Sequence, residues 1–541
     1  MEEHFDVLVV GGGINGAGIA RDLAGRGWKV ILAEASDFAA HTSSSSTKLI
    51  HGGLRYLEYY EFSLVRKALQ EREVLLKSAP HIIWPLRFVM PHDEAMRPAW
   101  MVRLGLFLYD HLARREVLPG SKSVKLRSSK LGAPLKAKYH RGFVYSDGWV
   151  DDARLVLLNA IDARAKGAEL LTRSPVTAVQ REAEGWTAQI NTPQGERRVR
   201  ARALVNAAGP WAERFLRQVA KPAQGEALAT KHLRLVKGSH IIVKRCFEHD
   251  HAYIFQNPDK RIIFAIPYEG DYTLIGTTDV ELAPAALDGF AKASIDESEI
   301  AYLCSQASRY FTKPVLPADV VWSYAGVRPL LDDAAGDPSA VTRDYLLETN
   351  QLAAPAGKRR AAPSFPADPL GGPGALEPGL GAPLLSVWGG KITTFRKLAE
   401  DAADLVGAML GDKRAAWTAP AFLPGGDLRE WIGAPVRPDQ DFERLLVAVQ
   451  QRYDFLTPKL ARRLARAYGS RVDQVLGTAA CLNDLGQEVA PGLYAIELRY
   501  LQREEWACSA DDVLWRRSKL GLHYREAERA AVAAWFKQNP L

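Results

Sequence analysis

Three kinds of residue in this 541-residue chain have the types and spacing to do chemistry. The first is a glycine cluster, Gly11-Gly12-Gly13-Ile14-Asn15-Gly16, which fits G-x-G-x-x-G at Gly11, Gly13 and Gly16. Gly11 permits a tight turn, Gly13 lets the backbone approach a pyrophosphate, and Gly16 lets a helix pack close to a sheet. Glu34 follows about 20 residues on, where a carboxylate accepts the ribose hydroxyls of an adenosine. The second is a set of cations beside glycine turns or at the ends of apolar strands: Arg55, Arg328, Arg343 and Lys391. Planar guanidinium forks match phosphate oxygens in pairs. The third is histidine, the natural proton acceptor near neutral pH. His240, in Lys237-Gly238-Ser239-His240, is the first candidate base and His51 the second.

The elements that must position these residues are legible in order. Asp6-Val7-Leu8-Val9-Val10 is a continuous apolar run closed by glycine, the pattern of a buried parallel strand. A helix from about Asn15 to Gly25 and a second strand, Val30-Ile31-Leu32-Ala33, complete a strand–turn–helix–strand unit ending at Glu34. The helix directs its positive N-terminus at a phosphate. A serine-rich segment follows, with Ser43, Ser46 and Lys48 leading to His51-Gly52-Gly53. Composition gives it the character of a flexible linker. Its position, directly after the dinucleotide strand, gives a second reading: hydroxyls and amides that bind phosphate and ribityl oxygens, and glycines that pass close to a flat ring. Ala203 to Trp211 is another buried strand, ending in Ala207-Ala208-Gly209, where a backbone passes close to a bound cofactor. A third glycine turn, Gly389-Gly390, leads through Lys391-Ile392-Thr393-Thr394 into a helix whose N-terminus faces the same ligand.

Three other stretches carry expectations. Arg97 to Arg115 predicts a helix that is apolar almost all round, with Arg103, Asp110 and Arg114 on a narrow polar stripe. It reads as a buried core helix or as an interfacial helix with Trp100, Phe107 and Tyr109 at headgroup depth. Residues 233–327 are β-rich, and Pro80, Pro85 and Pro91 read as breaks. The stretch 352–383 is rich in Ala, Pro and Gly and reads as a surface insertion. The expected fold class is α/β. A dinucleotide-binding unit is assembled from 1–80, 141–230 and 384–412. A helical segment spans 81–140, a mixed-sheet substrate domain 231–350, an insertion loop 351–383 and a helical domain 413–541.

Bulk properties narrow the function classes. The length requires more than one core. A hydrophobic content of 47% and a charged content of 25% are those of an ordinary globular protein. The net charge of +7 suits a polyanion, an anionic membrane surface or a small anionic substrate. The four cysteines have no C-x-x-C spacing, which gives the pattern of reduced cytosolic thiols and neither a disulfide frame nor a metal site. No signal peptide is expected before the first strand, and no apolar run approaches the ~20 residues of a membrane span. A non-enzymatic membrane or RNA-binding protein would use the basic balance, but no basic-aromatic nucleic-acid motif is present.

Taken together, four segments resemble the flavin-dependent, membrane-associated glycerol-3-phosphate dehydrogenases of respiring bacteria. They are Gly11 to Gly18, Ser46 to Glu58, Ile275-Gly276-Thr277-Thr278-Asp279 and Gly389 to Thr394. The resemblance covers nearly the whole chain and departs from the family in the longer 352–383 stretch. It implies a Rossmann-type FAD-binding domain like that of D-amino-acid oxidase. The implied cofactor is FAD in the N-terminal site, held by Gly11, Gly13, Ile14, Asn15, Gly16, Glu34, Ser43, Ser46, Lys48, His51, Gly52, Ala208, Gly209, Gly389, Gly390, Lys391 and Thr393. The implied substrate is sn-glycerol 3-phosphate, oxidised to dihydroxyacetone phosphate. Arg55, Tyr56, Arg328, Arg343, Lys391 and Thr394 would line its pocket, and catalysis would fall to His240 with Arg328, Arg55 and Lys391. The implied partners are a membrane quinone and the inner face of the cytoplasmic membrane, with a homodimer as the expected assembly. The rival within the same fold is a flavin oxidase of an amino acid or 2-hydroxy acid that uses oxygen. A single carboxylate needs only one cationic fork, so the cation set favours phosphate.

Overall fold

The computed structural model describes residues 3–93, 96–222, 228, 230–259, 261–332, 344–352 and 380–540. Two large sheets share the polar ligand-binding machinery between them. The first has nine strands. Its centre is Glu3–Val10, flanked in parallel by Val30–Ala33 and by Gly195–Asn206. Residues 7–9 are fully buried: Val7 and Val9 face the helices, and Leu8 faces the strand residues Val179, Trp186 and Ala188. One edge of Gly195–Asn206 is divided. Its first half pairs antiparallel with Trp186–Thr192, and its end, Leu204 to Asn206, pairs in parallel with Leu384 to Ser386 of Leu380–Trp388. Val10, Asn206 and Trp388 therefore finish close together, and each is followed by a turn of small residues.

Helix Ile14–Gly25 packs between helices Asp152–Ala165 and Phe395–Met409. The contact needs small residues: a Cβ on Gly16 would lie 1.8 Å from the Gly11 carbonyl oxygen, and one on Gly18 would lie 2.9 Å from the Phe395 ring. Asp151 caps helix Asp152–Ala165, its side chain accepting from the Arg154 amide at 3.1 Å.

The second sheet has ten strands and corrects the expected boundaries. Residues 81–140 are not a helical segment. Ile83–His92 and Lys122–Lys125 are strands of this sheet, and both pair antiparallel with Arg141–Val150. The prolines taken as breaks lie inside a strand, Pro85 opposite Gly148 and Pro91 opposite Gly142. Neither proline has an amide to donate, and their neighbours keep the strand paired. Leu233–Lys244, the strand carrying His240, pairs along its length with Val320–Leu331, the strand carrying Arg328.

Ala99–His111 is the helix expected between Arg97 and Arg115, with Trp100 and Phe107 exposed as the interfacial reading requires but Tyr109, expected beside them, buried. Its polar Asp110 is buried, accepting from the Ser121 amide at 2.7 Å and pairing with Arg115 at 2.7 Å. Trp100, Met101, Leu104, Phe107 and Leu108 are exposed instead. The core-helix alternative is therefore excluded for all but Leu106, Tyr109 and Asp110.

The C-terminal region is helical apart from a short hairpin, Glu488–Ala490 with Leu493–Tyr494. It is tied to the cofactor unit through buried charge: Asp37 accepts from Arg516 at 2.7 Å and from Arg517 at 2.9 Å. Trp535 is core, whereas Trp506 meets Phe38 edge-on at 5.1 Å across that junction. Of the expected insertion, residues 353–379 lie outside the described residues.

Candidate active site

Two cavities meet at the third glycine turn and share Thr42, Pro329, Gly389 and Gly390. The larger, about 460 Å³, is lined by Gly11, Gly13, Ile14, Asn15, Glu34, Ser43, Ala208 and Gly209 among others. The second, about 310 Å³, is lined by Ser46, His51, Arg55, Tyr56, His240, Arg328, Lys391 and Thr393 among others. A dinucleotide extending from one into the other would pass Gly389 and Gly390.

The first cavity fits the diphosphate and ribose of such a group. Gly11 has φ +104°, and a Cβ there would lie 2.5 Å from the Ala207 carbonyl oxygen. The N-terminal amides of helix Ile14–Gly25 open toward the cavity, which favours an anion. Ser43 Oγ accepts from the Ile14 amide at 2.9 Å, fixing the serine segment to that helix end. Glu34 accepts from the Gly12 amide at 2.6 Å and from the Ser36 amide at 2.7 Å. Each of its oxygens keeps lone-pair capacity for a ribose hydroxyl. Burial raises the Glu34 pKa, and the two amides work against that shift. Asn15 donates to the Gly389 carbonyl at 3.1 Å, and its Oδ1 is buried with no partner among the described residues, an acceptor facing the ligand side.

The second cavity holds the cations. Arg55 lies on the 3-10 turn Leu54–Tyr59, directly after Gly53. Lys391 Nζ stands 3.9 Å from the Tyr56 ring centroid, which joins the third glycine turn to the Arg55 segment. Arg328 is held by Asp279 and by Thr277 Oγ1, the latter at 3.1 Å. His240 is 1% exposed. Its Nε2 is 3.0 Å from Thr47 Oγ1, its ring stacks on Tyr324 at 4.8 Å, and its Nδ1 has no partner among the described residues. Burial, with Arg328 and Lys48 nearby, holds the His240 pKa well below the ordinary imidazole value, so the ring is neutral at physiological pH. His51 donates its amide to Thr393 Oγ1 at 3.1 Å, stitching the serine segment to the last turn.

Several expected site residues lie behind these walls. Lys48 is buried in an ion pair with Asp152 at 2.7 Å and donates to the Ser44 carbonyl, so its ammonium does not reach the cofactor cavity. Ser46 lines the second cavity but donates its hydroxyl to Asp152 at 2.8 Å. The serine run is therefore a wrapped, bonded loop and not a linker. Gly52 is covered by Leu69 and gives its amide to the Tyr109 hydroxyl at 2.8 Å; Gly53 is the glycine on the cavity wall. Gly16 packs under the first turn, and Thr394 is buried behind Thr393. Arg343 lies outside the described residues. Residues without an assigned role in the sequence also face the second cavity, notably Thr47, Asp147, Thr277 and Asp279. Thr277 and Asp279 belonged to a quoted motif, but nothing in the chain signals that strand pairing sets them against Arg328.

A cleft of this construction, joined to a cation-lined chamber, defines a flavin-type oxidoreductase. The comparisons agree: residues 6–350 match the FAD dependent oxidoreductase family, and residues 417–537 match the C-terminal domain of alpha-glycerophosphate oxidase. The chain belongs to the FAD-dependent oxidoreductases and binds FAD. Within that family it is 48% identical to D-erythritol 1-phosphate dehydrogenase of Brucella abortus, covering 100% of this chain and 99% of that one. It is also 48% identical to glycerol-3-phosphate dehydrogenase of Pseudomonas aeruginosa, covering 100% and 96%. Among solved structures, the glycerol-3-phosphate dehydrogenase of Bacillus halodurans complexed with FAD superimposes with a TM-score of 0.70 at 26% identity, covering 99% of this chain and 94% of that one.

Proposed function

We propose that this chain is an FAD-dependent dehydrogenase of sn-glycerol 3-phosphate that oxidises the C2 hydroxyl to the ketone of dihydroxyacetone phosphate. The observation that carries the reading is the meeting of Arg55, Arg328 and Lys391 in one chamber that opens onto the cofactor cleft. FAD, when bound, supplies the two-electron acceptor for the hydrogen leaving C2. The chain does the rest. Arg55 and Lys391 grip the phosphate, and the Tyr56 ring restrains Lys391. Neutral His240, on the chamber wall, takes the hydroxyl proton, its ring oriented by Thr47 at Nε2. The Arg328 charge stabilises the alkoxide that develops. Among the expected cations, Arg343 retains its proposed role as a further phosphate contact.

The acceptor of the next step is a quinone drawn from a membrane surface. No helix among the described residues is long and apolar enough to cross a membrane. Ala99–His111 instead presents Trp100 at 66% and Phe107 at 49% exposure, with Tyr60 at 81% close by in sequence to the cavity-lining Tyr56. An apolar face of this kind beside Arg97, Arg103 and Arg114 suits an anionic bilayer. Lipid-dissolved quinone would then arrive beside the mouth of the chamber. The family resemblance supports a homodimer attached to the inner face of the cytoplasmic membrane.

A second reading has its own observation: the Brucella abortus relative is named for a four-carbon polyol phosphate at the same identity as the three-carbon relative. Steady-state assays test both. Reduction of a quinone analogue by glycerol 3-phosphate without peroxide release supports the proposal. Faster turnover of D-erythritol 1-phosphate moves the substrate by one carbon, and peroxide release with an amino acid or 2-hydroxy acid overturns it.

A further inference from the structure

A chamber that binds a dianion has reason to exclude carboxylates, yet three of them line this one: Asp147, Asp279 and Asp344. Asp147 is occupied within the protein, accepting from Arg72 at 2.7 Å and from the Tyr109 hydroxyl at 2.8 Å. Asp344 takes the adjacent Tyr345 amide at 2.9 Å. Asp279 differs from both in that its partner is a cation lining the same chamber. One oxygen, Oδ1, meets Arg328, while Oδ2 takes no hydrogen bond among the described residues. Its side chain is 26% exposed against 30% for Arg328, and both residues line the chamber. Gly238 packs over the guanidinium, where a Cβ would lie 2.4 Å from Arg328 Nη2, so the pair is fixed from above as well as from the side.

The charge pattern divides the work. Arg55 has no hydrogen-bond or ion-pair partner among the described residues, and a cation without a counterion suits a phosphate. Asp279 offsets part of the Arg328 charge, which weakens that guanidinium toward a dianion relative to Arg55. Donor and acceptor side by side suit hydroxyls, one oxygen receiving a hydrogen bond and the next giving one. Arg328 and His240 stand on paired strands and line the same chamber, so this pair shares a wall with the base. In a phosphorylated polyol, the group on the far side of that carbon from the phosphate is another hydroxyl.

We propose that Asp279 is a specificity-determining residue: its free carboxylate oxygen accepts the hydrogen bond of the substrate hydroxyl on the carbon beyond the one oxidised. The site thereby selects polyol phosphates of three or four carbons over analogues that end in a methyl group. A site built to pair a hydroxyl rejects the analogue lacking it, because its own polar group is left unpaired. The inference rests on the polyol phosphate reading above.

The test compares kcat/KM for sn-glycerol 3-phosphate with that for the matching enantiomer of propane-1,2-diol 1-phosphate, which lacks only the distal hydroxyl. The full-length holoenzyme is used, with a quinone analogue as acceptor. Wild type should favour glycerol 3-phosphate by ~10²-fold or more, and Asp279→Ala should reduce the preference to within ~3-fold. If Asp279 only supports Arg328, the variant slows both substrates alike and keeps the ratio, which overturns the proposal. Should Asp279→Ala purify without flavin, Asp279→Leu, which fills the space but offers no acceptor, takes its place, and an unchanged ratio there is equally decisive. A wild-type enzyme that oxidises neither compound refutes the functional reading itself, a result distinct from loss of the Asp279 assignment.

Discussion

Lys391 Nζ lies 3.9 Å from the centroid of the Tyr56 ring, joining two glycine-turn segments that are far apart in sequence. The chamber is closed by this contact: one side comes from the turn after the first cofactor loop, the other from the turn after Leu380–Trp388. Removing the Arg55 fork should cost a charge-assisted pair to phosphate. Arg55→Ala should raise KM for glycerol 3-phosphate by about tenfold or more while flavin content stays at the wild-type level. Lys391→Met should act in the same direction. Initial rates over a substrate series, with flavin absorbance as the control, check both.

His240 faces the chamber as a neutral ring, so His240→Gln should cut kcat by ~10²-fold or more with FAD retained. The pH profile carries the sign. A depressed pKa keeps the base unprotonated further into acid, so the acid limb of kcat/KM should lie well below the ordinary imidazole value of about 6.5. Single-turnover rates across pH check this, and Thr47→Val should shift that limb by removing the contact to Nε2.

Gly11 cannot be replaced without closing the cofactor cradle. At φ +104° and with a Cβ 2.5 Å from the Ala207 carbonyl oxygen, Gly11→Ala is strained in both backbone and packing. The variant should purify without yellow colour, as an absorbance spectrum reads directly.

The exposed helix should govern attachment to lipid. Trp100→Glu with Phe107→Glu places charge on the apolar face of Ala99–His111 and leaves the buried Leu106, Tyr109 and Asp110 intact. Co-sedimentation with anionic phospholipid vesicles should fall sharply, while turnover with a water-soluble acceptor stays near wild type.

Acid should destabilise the fold. His240 and His81 are buried with pKa values well below normal, and burial with Lys292 and Arg516 nearby holds His41 at about 4. Each binds a proton in the unfolded chain near pH 6.5 but not in the folded one, so stability declines as pH falls below that value. Each group adds a slope of at most ~1.4 kcal/mol per pH unit, which for His41 ends near pH 4. Thermal melts between pH 7 and pH 5, in that window, check the direction.

The cofactor unit was largely legible because its signals are local. Strand, glycine turn, helix and acid follow one another, and the observed elements Glu3–Val10, Ile14–Gly25 and Val30–Ala33 lie within a few residues of expectation. The second sheet was partly hidden, because Ile83–His92 carries prolines and gains its strand character from pairing with Arg141–Val150. Lys48 illustrates the limit on side chains. Its neighbours suggested phosphate binding, and only the fold brings Asp152 to it. Asp279 was hidden for the converse reason: its partner Arg328 is 49 residues away and reaches it through the pairing of two strands with Leu233–Lys244.

The most direct measurement is the flavin absorbance of the purified protein before and after anaerobic addition of sn-glycerol 3-phosphate. The account predicts a yellow protein whose visible flavin band bleaches within the mixing time of a stopped-flow experiment and does not respond to free glycerol. A colourless protein, or a flavin band that persists in the presence of saturating glycerol 3-phosphate, would contradict it.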